Sequence, residues 1–261
     1  MWRRYREATI TKTLAIISQK GGTAKTCTAA ALIAGLRREG KRVLAVDTDP
    51  QANLTAMIGG DPSGATRGLY DVLTGHSVLR RAVQTTAQGP IVGADSRLAE
   101  KGILHGRNAE YRLKTALDSV ANEYDVVIVD CPPNLSTLTY SALTAADGAI
   151  IPAKADRFSM DALRQIAATI NAVKSSSNSR LQVYGVLITM YERRLTVARL
   201  MRDKLEEQAR ALGLPMYATS IRKSVSVEES QITGEDIFKA GHSNAAADYN
   251  EIIKELLKQM D

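Results

Sequence analysis

Short, nearly continuous apolar runs alternate along this chain with longer stretches of helical character. The apolar runs cover residues 14–18, 43–47, 126–130, 148–152 and 183–189. Such runs are typical of parallel strands that are buried on both faces. The helical stretches cover residues 26–38, 109–123, 138–146, 159–174, 197–212 and 245–260. The alternation predicts an α/β fold with a doubly wound, mostly parallel sheet flanked by helices.

Two stretches depart from this alternation. Residues 59–107 contain several glycines and many polar residues, and we expect loops and short helices there. Residues 1–12 are basic, with Arg3, Arg4 and Arg6, and we interpret them as an N-terminal extension. Residues 59–107 are not expected to form a separate domain, and the polar residues 174–179 form a short loop and not an interdomain linker. The sequence therefore predicts a single domain over residues 1–261.

Composition narrows the class of protein. The 261 residues include 44% hydrophobic and 24% charged residues, which is ordinary for a globular domain. No apolar stretch approaches the roughly 18 residues that a membrane-spanning helix needs, and no signal-type segment is apparent. Two cysteines are too few for a disulfide framework, so we expect a cytoplasmic protein. The formal net charge of +6 leaves a polyanionic partner open.

A glycine-rich loop joins the first predicted strand to the first predicted helix. It reads Lys20-Gly21-Gly22-Thr23-Ala24-Lys25-Thr26. Between a strand and a helix, this pattern predicts a P-loop that wraps phosphates with backbone N–H groups. Lys25 fits the lysine that reaches the outer phosphates, and Thr26 fits the hydroxyl that binds Mg²⁺. Lys20 is a second, unusual lysine ahead of the turn.

Ala24 replaces the glycine that usually precedes the P-loop lysine. That position often has a positive φ angle, which costs a residue with a Cβ atom about 1 kcal/mol. We therefore expect nucleotide handling to be weakened or slowed.

Carboxylates follow two other predicted strands. Asp47 and Asp49 end the strand over residues 43–47, and Asp130 ends the strand over residues 126–130. Ligands of open α/β sheets bind beside the carboxyl ends of the strands. Asp130 in this setting is typical of a Walker B element that helps to hold Mg²⁺. The sequence predicts one phosphate and metal site at this edge.

These motifs together resemble those of the ParA/Soj ATPases, the deviant-Walker DNA-partitioning proteins. The resemblance rests on the P-loop with its two lysines, on Asp47-Thr48-Asp49-Pro50-Gln51-Ala52-Asn53, and on Asp130-Cys131-Pro132-Pro133. It implies a P-loop NTPase fold of the deviant Walker A class, with ATP and Mg²⁺ as cofactors. It also implies a homodimer in which two ATP molecules are sandwiched between the subunits.

The resemblance assigns roles residue by residue. Lys20 reaches across the dimer to the partner's phosphates, and Asp49 positions the attacking water. The catalytic residues are thus Lys20, Lys25 and Asp49, and the magnesium shell contains Thr26, Asp47 and Asp130. The expected nucleotide contacts are Lys20, Gly21, Gly22, Thr23, Ala24, Lys25, Thr26 and Cys27, with adenine near Met190, Ile221 and Arg222.

Basic residues toward the C-terminal end suggest a nucleic-acid partner. In the family, this region holds double-stranded DNA without reading its sequence, and Arg194 matches one of the family's DNA-contacting arginines. The expected DNA-binding residues are Arg193, Arg194, Arg222 and Lys223, the last two as substitutes for a second family position. A second family position, usually basic, is Ser226 in this chain. A solvated helix face is the alternative interpretation. The resemblance also implies a nucleoid-associated protein and a ParB-type centromere-binding partner that stimulates hydrolysis.

Several rival interpretations remain open from the sequence. Ala153-Lys154-Ala155-Asp156 partly matches the guanine-reading Asn-Lys-x-Asp element but lacks its asparagine, so GTP is disfavoured. A MinD-type positioning ATPase would use a basic C-terminal membrane helix, and the apolar stripe over residues 252–260 lacks a cationic excess. We expect no membrane partner. A nitrogenase-type reductase would need cysteine ligands, and a non-hydrolysing ATP-gated scaffold would bind DNA or cargo without turnover.

Overall fold

A seven-stranded sheet forms the centre of the molecule in a computed structural model that describes residues 11–239 and 243–260. The strand order is β3-β4-β2-β5-β1-β6-β7, and every pairing is parallel except that of β3 with β4. The strands are β1 Lys12–Ile16, β2 Val43–Asp47, β3 Val83–Thr86, β4 Gly89–Val92, β5 Val126–Asp130, β6 Gly148–Lys154 and β7 Gln182–Thr189. The predicted doubly wound, mostly parallel sheet is confirmed.

Helices cover both faces of this sheet. They are α1 Lys25–Arg38, α2 Asn53–Met57, α3 Leu69–Leu73, α4 Leu79–Ala82, α5 Arg112–Asp118, α6 Thr137–Ala145, α7 Arg157–Ser176, α8 Thr196–Ala211, α9 Val225–Thr233 and α10 Asn244–Met260. Short 3-10 helices cover Ser96–Ala99 and Ala109–Tyr111.

Alternate residues of the central strands enter two separate cores. Leu14 and Ile16 of β1 pack toward α1 and α10, whereas Ala15 and Ile17 join the core on the side of α5, α6 and α7. All four side chains are fully buried. Because strand side chains alternate between faces, a strand covered by helices on both sides must be apolar throughout. This explains the continuous apolar runs in the sequence.

The register of the central strands aligns their carboxyl ends. Asp130 of β5 pairs with Ile16 of β1 on one side and with Asp47 of β2 on the other. The chain continues from Ile16 into the glycine-rich loop, so this loop and both carboxylates meet at one edge. This edge lies where β1 is flanked by β5 and β6, the kind of crossover point at which α/β sheets bind ligands.

The region over residues 59–107 was only partly predicted. It contains short helices as expected, but it also contains the β3–β4 hairpin, so the prediction of loops and helices alone was wrong. Each strand has only four residues, and Ile91 and Val92 are buried because β4 pairs with β2. Because these strands depend on a partner that is distant in sequence, their own residues show little hydrophobic periodicity.

Two helices also differ from the prediction. The stretch over residues 109–123 is α-helical only from Arg112 to Asp118. Helix α9 was not predicted, because its polar sequence, with serines and paired glutamates, lacks an apolar stripe. The predicted extension over residues 1–12 lies almost entirely outside the described residues.

The C-terminal apolar stripe is used in folding. Ile252, Ile253 and Leu256 of α10 are at most 2% exposed and pack in the same core as α1. The face that a MinD-type membrane helix would present is therefore covered by the protein itself. Within residues 11–239 and 243–260, no helix is both long and apolar enough to cross a bilayer.

Candidate nucleotide site

The glycine-rich loop turns sharply between β1 and α1. Gly22 has φ +73°, and Ala24, directly before α1, lies in the left-handed region with φ 56° and ψ 29°. The expectation of a positive φ angle at Ala24 is confirmed. Thr189 at the end of β7 holds the loop by donating its hydroxyl hydrogen to the Thr23 carbonyl oxygen at 2.9 Å. The loop is thus fixed with a strained alanine at the start of the helix.

Replacing Ala24 with glycine is expected to tighten ATP binding by at most about fivefold. The strain at a left-handed alanine is worth about 1 kcal/mol, and ATP binding gains from its removal only as far as the free loop leaves the left-handed conformation. ATP affinity of the Ala24→Gly protein, measured by titration, checks this. Ala52, with φ 53°, is a matched control outside the phosphate loop. If Ala24→Gly binds no more tightly than the parent, or if Ala52→Gly gains equally, strain at the loop does not limit nucleotide binding.

Lys25, Thr26 and Asp130 form one cluster, in which Lys25 and Asp130 are buried and Thr26 is half-buried. Lys25 Nζ lies 2.7 Å from Asp130 Oδ1, and the Thr26 hydroxyl donates to Asp130 Oδ2 at 2.8 Å. Burial alone would lower the pKa of Lys25, but the Asp130 carboxylate more than offsets this and raises it. Complete burial raises the pKa of Asp130 above its usual range. Asp130 therefore holds the two side chains that are predicted to meet the phosphates and the metal.

Asp47 lies beside this cluster but is held by other groups. Its Oδ1 accepts the Asp49 backbone N–H at 3.0 Å, and its Oδ2 accepts the Thr55 backbone N–H and hydroxyl at 2.9 and 2.8 Å. Burial, with the nearby Asp130 carboxylate, raises the pKa of Asp47. These bonds fix the turn that follows β2 and connect it to α2. The assignment of Asp47 to the metal shell stays a prediction.

Asp49 faces the phosphate side of the site. It lines a cavity of about 620 Å³ together with the loop residues 20–27. Its Oδ1 accepts the Gln51 backbone N–H at 3.0 Å, which leaves Oδ2 without a hydrogen bond among the residues described. The carboxylate is therefore positioned in the same cavity as Lys25 and has a free oxygen.

Lys20 lies at the rim of this cavity and not in its depth. Its Nζ is 3.1 Å from Asp156 Oδ2 and 4.6 Å from the centre of the Phe158 ring. The side chain is 41% exposed, whereas that of Lys25 is 6% exposed. An exposed ion pair of this kind contributes only about 0–1 kcal/mol. The two lysines of the loop thus differ in position, and Lys20 is weakly held.

Met190, Ile221 and Arg222, the residues expected near the base, lie together. They line a second cavity of about 170 Å³, which also contacts Gly22, Ala24 and Cys27. Gln231 of α9 lines both cavities and contacts the Cys27 sulfur. Sequence reasoning missed Gln231 because α9 itself was not predicted. The partial guanine motif is not placed for base reading, since Asp156 bonds Lys20 and the Ser159 N–H at the start of α7.

Neither cysteine is placed as an exposed ligand. Cys27 is 4% exposed and Cys131 is fully buried, and burial raises the pKa of the Cys27 thiol to about 11. In the described part of the chain, no group of three or more His, Cys, Asp or Glu side chains is arranged to hold a metal ion. Thr26 and Asp130 nevertheless fit Mg²⁺, because this ion commonly combines one or two carboxylates with water and substrate phosphates.

The predicted DNA-binding residues do not form one free patch. Arg222 is paired with Asp248 of α10, with Nη2 2.7 Å from Oδ1, and Lys223 is 3.4 Å from Glu192. Ser226 is buried, and its hydroxyl oxygen lies 2.7 Å from that of Ser224. Arg193 and Arg194 are exposed and have no ion pair within residues 11–239 and 243–260. Of the four predicted DNA-binding residues, Arg193 and Arg194 are thus the two whose charge is unpaired within the described part of the chain.

Comparisons with known proteins show which family the chain resembles. The sequence model of the AAA domain family matches residues 11–183. The chain is 38% identical over 233 residues to the chromosome partitioning protein ParA of Caulobacter vibrioides, covering 87% of this chain and 86% of the relative. It is 34% identical over 250 residues to the sporulation initiation inhibitor protein Soj of Bacillus subtilis, covering 94% of this chain and 98% of the relative.

The chain belongs to the ParA/Soj family of chromosome-partitioning ATPases.

A solved structure shows the same fold with a nucleotide. The cobyrinic acid a,c-diamide synthase of Mycobacterium smegmatis, with bound ADP and magnesium, has a TM-score of 0.84 and 34% identity, and the match covers 96% of this chain and 95% of that one. The MinD ATPase of Pyrococcus furiosus, at 22% identity and a TM-score of 0.76, shares the fold. The Mycobacterium protein is named as a different enzyme, and it supports the fold and a nucleotide site with magnesium. The Pyrococcus structure supports the fold alone.

Proposed function

We propose that this chain is an ATP-dependent DNA-partitioning ATPase that forms an ATP-sandwich dimer, binds DNA without sequence preference and leaves it on hydrolysis. The observation that carries the proposal is the difference in position between the two lysines of the loop. Lys25 is buried inside the phosphate cavity, whereas Lys20 stands exposed at its rim. A second cation at the rim is not needed to bind the nucleotide of its own subunit, but it is well placed to bind the phosphates of a nucleotide in a neighbouring subunit.

Apolar side chains around the rim support a contact between subunits. Phe158, under the Lys20 ammonium, is 70% exposed, and Ile232, which lines the phosphate cavity, is 85% exposed. Exposed large apolar groups beside a functional cavity are typical of interaction surfaces. In a face-to-face dimer these side chains would be covered, and Lys20 would exchange Asp156 for the partner's phosphates.

Three side chains act in the proposed hydrolysis. Lys25 leaves Asp130 and neutralises the outer phosphates of ATP. Asp49, which lines the same cavity and has a free oxygen, accepts a hydrogen bond from the attacking water, orients it and takes up its proton. Lys20 of the partner subunit stabilises the charge that develops on the transferred phosphoryl group, as an arginine finger does.

Magnesium would be held by the Thr26 hydroxyl and, directly or through water, by Asp130. When bound, it would draw charge from the phosphate oxygens and fix their orientation. Asp130 would then exchange its bonds to Lys25 and Thr26 for the metal shell.

DNA binding is proposed for the segment that joins β7 to α8. Arg193 and Arg194 carry unpaired charge, and a dimer would align two copies of them. Phosphate contacts suffice for binding that does not depend on sequence, and such binding weakens steeply with salt. Because Arg222 is paired with Asp248, it contributes less to DNA binding than the sequence suggests. This ion pair instead connects the lining of the 170 Å³ cavity to α10.

Replacing Arg194 with alanine is expected to weaken DNA binding in ATP by about tenfold and to lower the salt slope by about 2, one phosphate contact for each subunit. The measurement is DNA affinity at several salt concentrations with duplexes of unrelated sequence. Arg107, an exposed arginine in the loop before α5, is the control for the change in charge. Equal affinities of Arg194→Ala, Arg107→Ala and the parent protein would place DNA elsewhere or nowhere on this surface.

A ParB-type partner is proposed to accelerate hydrolysis, and nucleoid association follows from the DNA binding. The alternative is an ATP-gated scaffold with negligible turnover. Phosphate release measured with ATP, DNA and the partner separates the two. Release that exceeds that of an Asp49→Ala control supports the ATPase, and release no greater than that control supports the scaffold.

A further inference from the structure

Lys154 is a third lysine beside the phosphate-binding loop, and it has no place in the site described so far. It ends β6 and pairs in register with Thr189, the residue whose hydroxyl holds the loop at Thr23. Its Nζ lies next to Gly22, 3.8 Å from the position that a Cβ atom on that glycine would take. In the sequence, Lys154 was noted as the lysine of the partial match to the guanine-reading Asn-Lys-x-Asp element.

The ammonium group of Lys154 differs from those of the other two lysines. Lys25 is paired with Asp130, and Lys20 is paired with Asp156. Lys154 has neither an ion pair nor a side-chain hydrogen bond to any residue in the ranges 11–239 and 243–260, although it is half-buried. An ammonium group that is unpaired within the described part of the chain can bind an anion without first breaking an ion pair.

The position of Gly22 indicates which anion this is. Gly22, like Ala24 and Cys27 in the same stretch of chain, lines both the 620 Å³ phosphate cavity and the second, 170 Å³ cavity. A nucleotide that fills both cavities passes Gly22 where its base-side half meets its phosphate chain. The phosphate nearest to this junction is the one attached to the ribose.

We propose that Lys154 binds the nucleotide through this innermost phosphate and so contributes equally to the binding of ADP and ATP. This inference rests on the proposed ATP binding and adds a residue to it. Lys154 supplies affinity for the nucleotide before and after hydrolysis, whereas Lys20 and Lys25 act on the outer phosphates. The subunit would therefore keep ADP bound after the phosphate has left.

Titrations with ADP, with the slowly hydrolysed analogue ATPγS and with adenosine test the proposal. In low salt, Lys154→Ala is expected to weaken ADP and ATPγS binding by the same factor, about tenfold, as the loss of one charge-assisted contact predicts. Adenosine affinity, measured by competition, is expected to stay unchanged. Lys154→Arg is expected to retain most of the affinity, and the difference from the parent is expected to shrink in high salt.

Lys174, an exposed lysine near the end of α7, is the control for the loss of one positive charge. If Lys154→Ala binds ADP and ATPγS as the parent does, or only as weakly as Lys174→Ala, the inference is wrong. An equal loss for adenosine would mean that the variant distorts the loop, and a loss confined to ATPγS would move Lys154 to the outer phosphates. Both would contradict the proposal. Failure of the parent itself to bind ATPγS would instead refute the proposed function.

Discussion

The Lys20→Ala protein is expected to bind ATP but to remain a single subunit at ATP concentrations that dimerise the parent. The physical reason is the position of this lysine at the cavity rim, where its ammonium can reach a neighbour's triphosphate. Without this ammonium group, the negative charges of the two bound triphosphates would repel each other more strongly across the subunit contact. Hydrolysis is expected to fall by a factor of about 10³, in line with the loss of a cation supplied by a partner subunit. Light scattering and phosphate release measure the two effects.

Asp156→Asn is the companion variant for this experiment. Asparagine can still cap α7 through the Ser159 N–H, but it removes the negative charge that holds Lys20 within its own subunit. The variant is expected to dimerise at least as readily as the parent. Lys174→Ala, which removes a positive charge far from the rim, is expected to behave as the parent. Dimers of Lys20→Ala at the parent's ATP concentration would show that the rim lysine is not the link between subunits.

The Asp49→Ala protein is expected to bind ATP and dimerise while its hydrolysis falls at least about 100-fold, the usual effect of removing a group that orients and deprotonates a nucleophile. Single-turnover phosphate release measures this. Asp49→Asn, which can still accept the Gln51 N–H, is expected to show a similar loss, because an amide cannot take up the proton of the attacking water.

Asp118→Ala is the control for this second prediction, since Asp118 is an exposed carboxylate on α5 that is paired with Lys114. It is expected to hydrolyse ATP at the parent's rate. Turnover in Asp49→Ala equal to that of Asp118→Ala would remove Asp49 from the proposed catalytic role.

Local pattern was sufficient for the central sheet and for the loop. The buried parallel strands are visible in the sequence because both of their faces are covered, and the predicted β2 and β5 match the observed strands residue for residue. The left-handed conformation of Ala24 was also predictable, because the strand and the helix on either side force the loop to turn within a few residues.

Long-range pairing was not predictable from the same patterns. Hairpin β3–β4 forms because β2 offers it an edge, and α9 packs beside α2 without an apolar stripe of its own. The partners of the charged residues are also distant in sequence. Asp156 holds Lys20, Asp248 holds Arg222 and Glu192 holds Lys223. The lysine predicted to reach the partner and two of the four predicted DNA-binding residues are therefore already paired. A single sequence gives no signal for such pairs.

The most direct measurement is the molar mass in solution of the Asp49→Ala protein with saturating Mg-ATP and, separately, with Mg-ADP. ATP hydrolysis is expected to be blocked in this variant, so the ATP-bound protein persists long enough for its molar mass to be measured. The proposed sandwich predicts the mass of two subunits in ATP and of one in ADP, with the doubling lost in the Lys20→Ala/Asp49→Ala double variant. The mass of one subunit in both nucleotides, with ATP demonstrably bound, would contradict it.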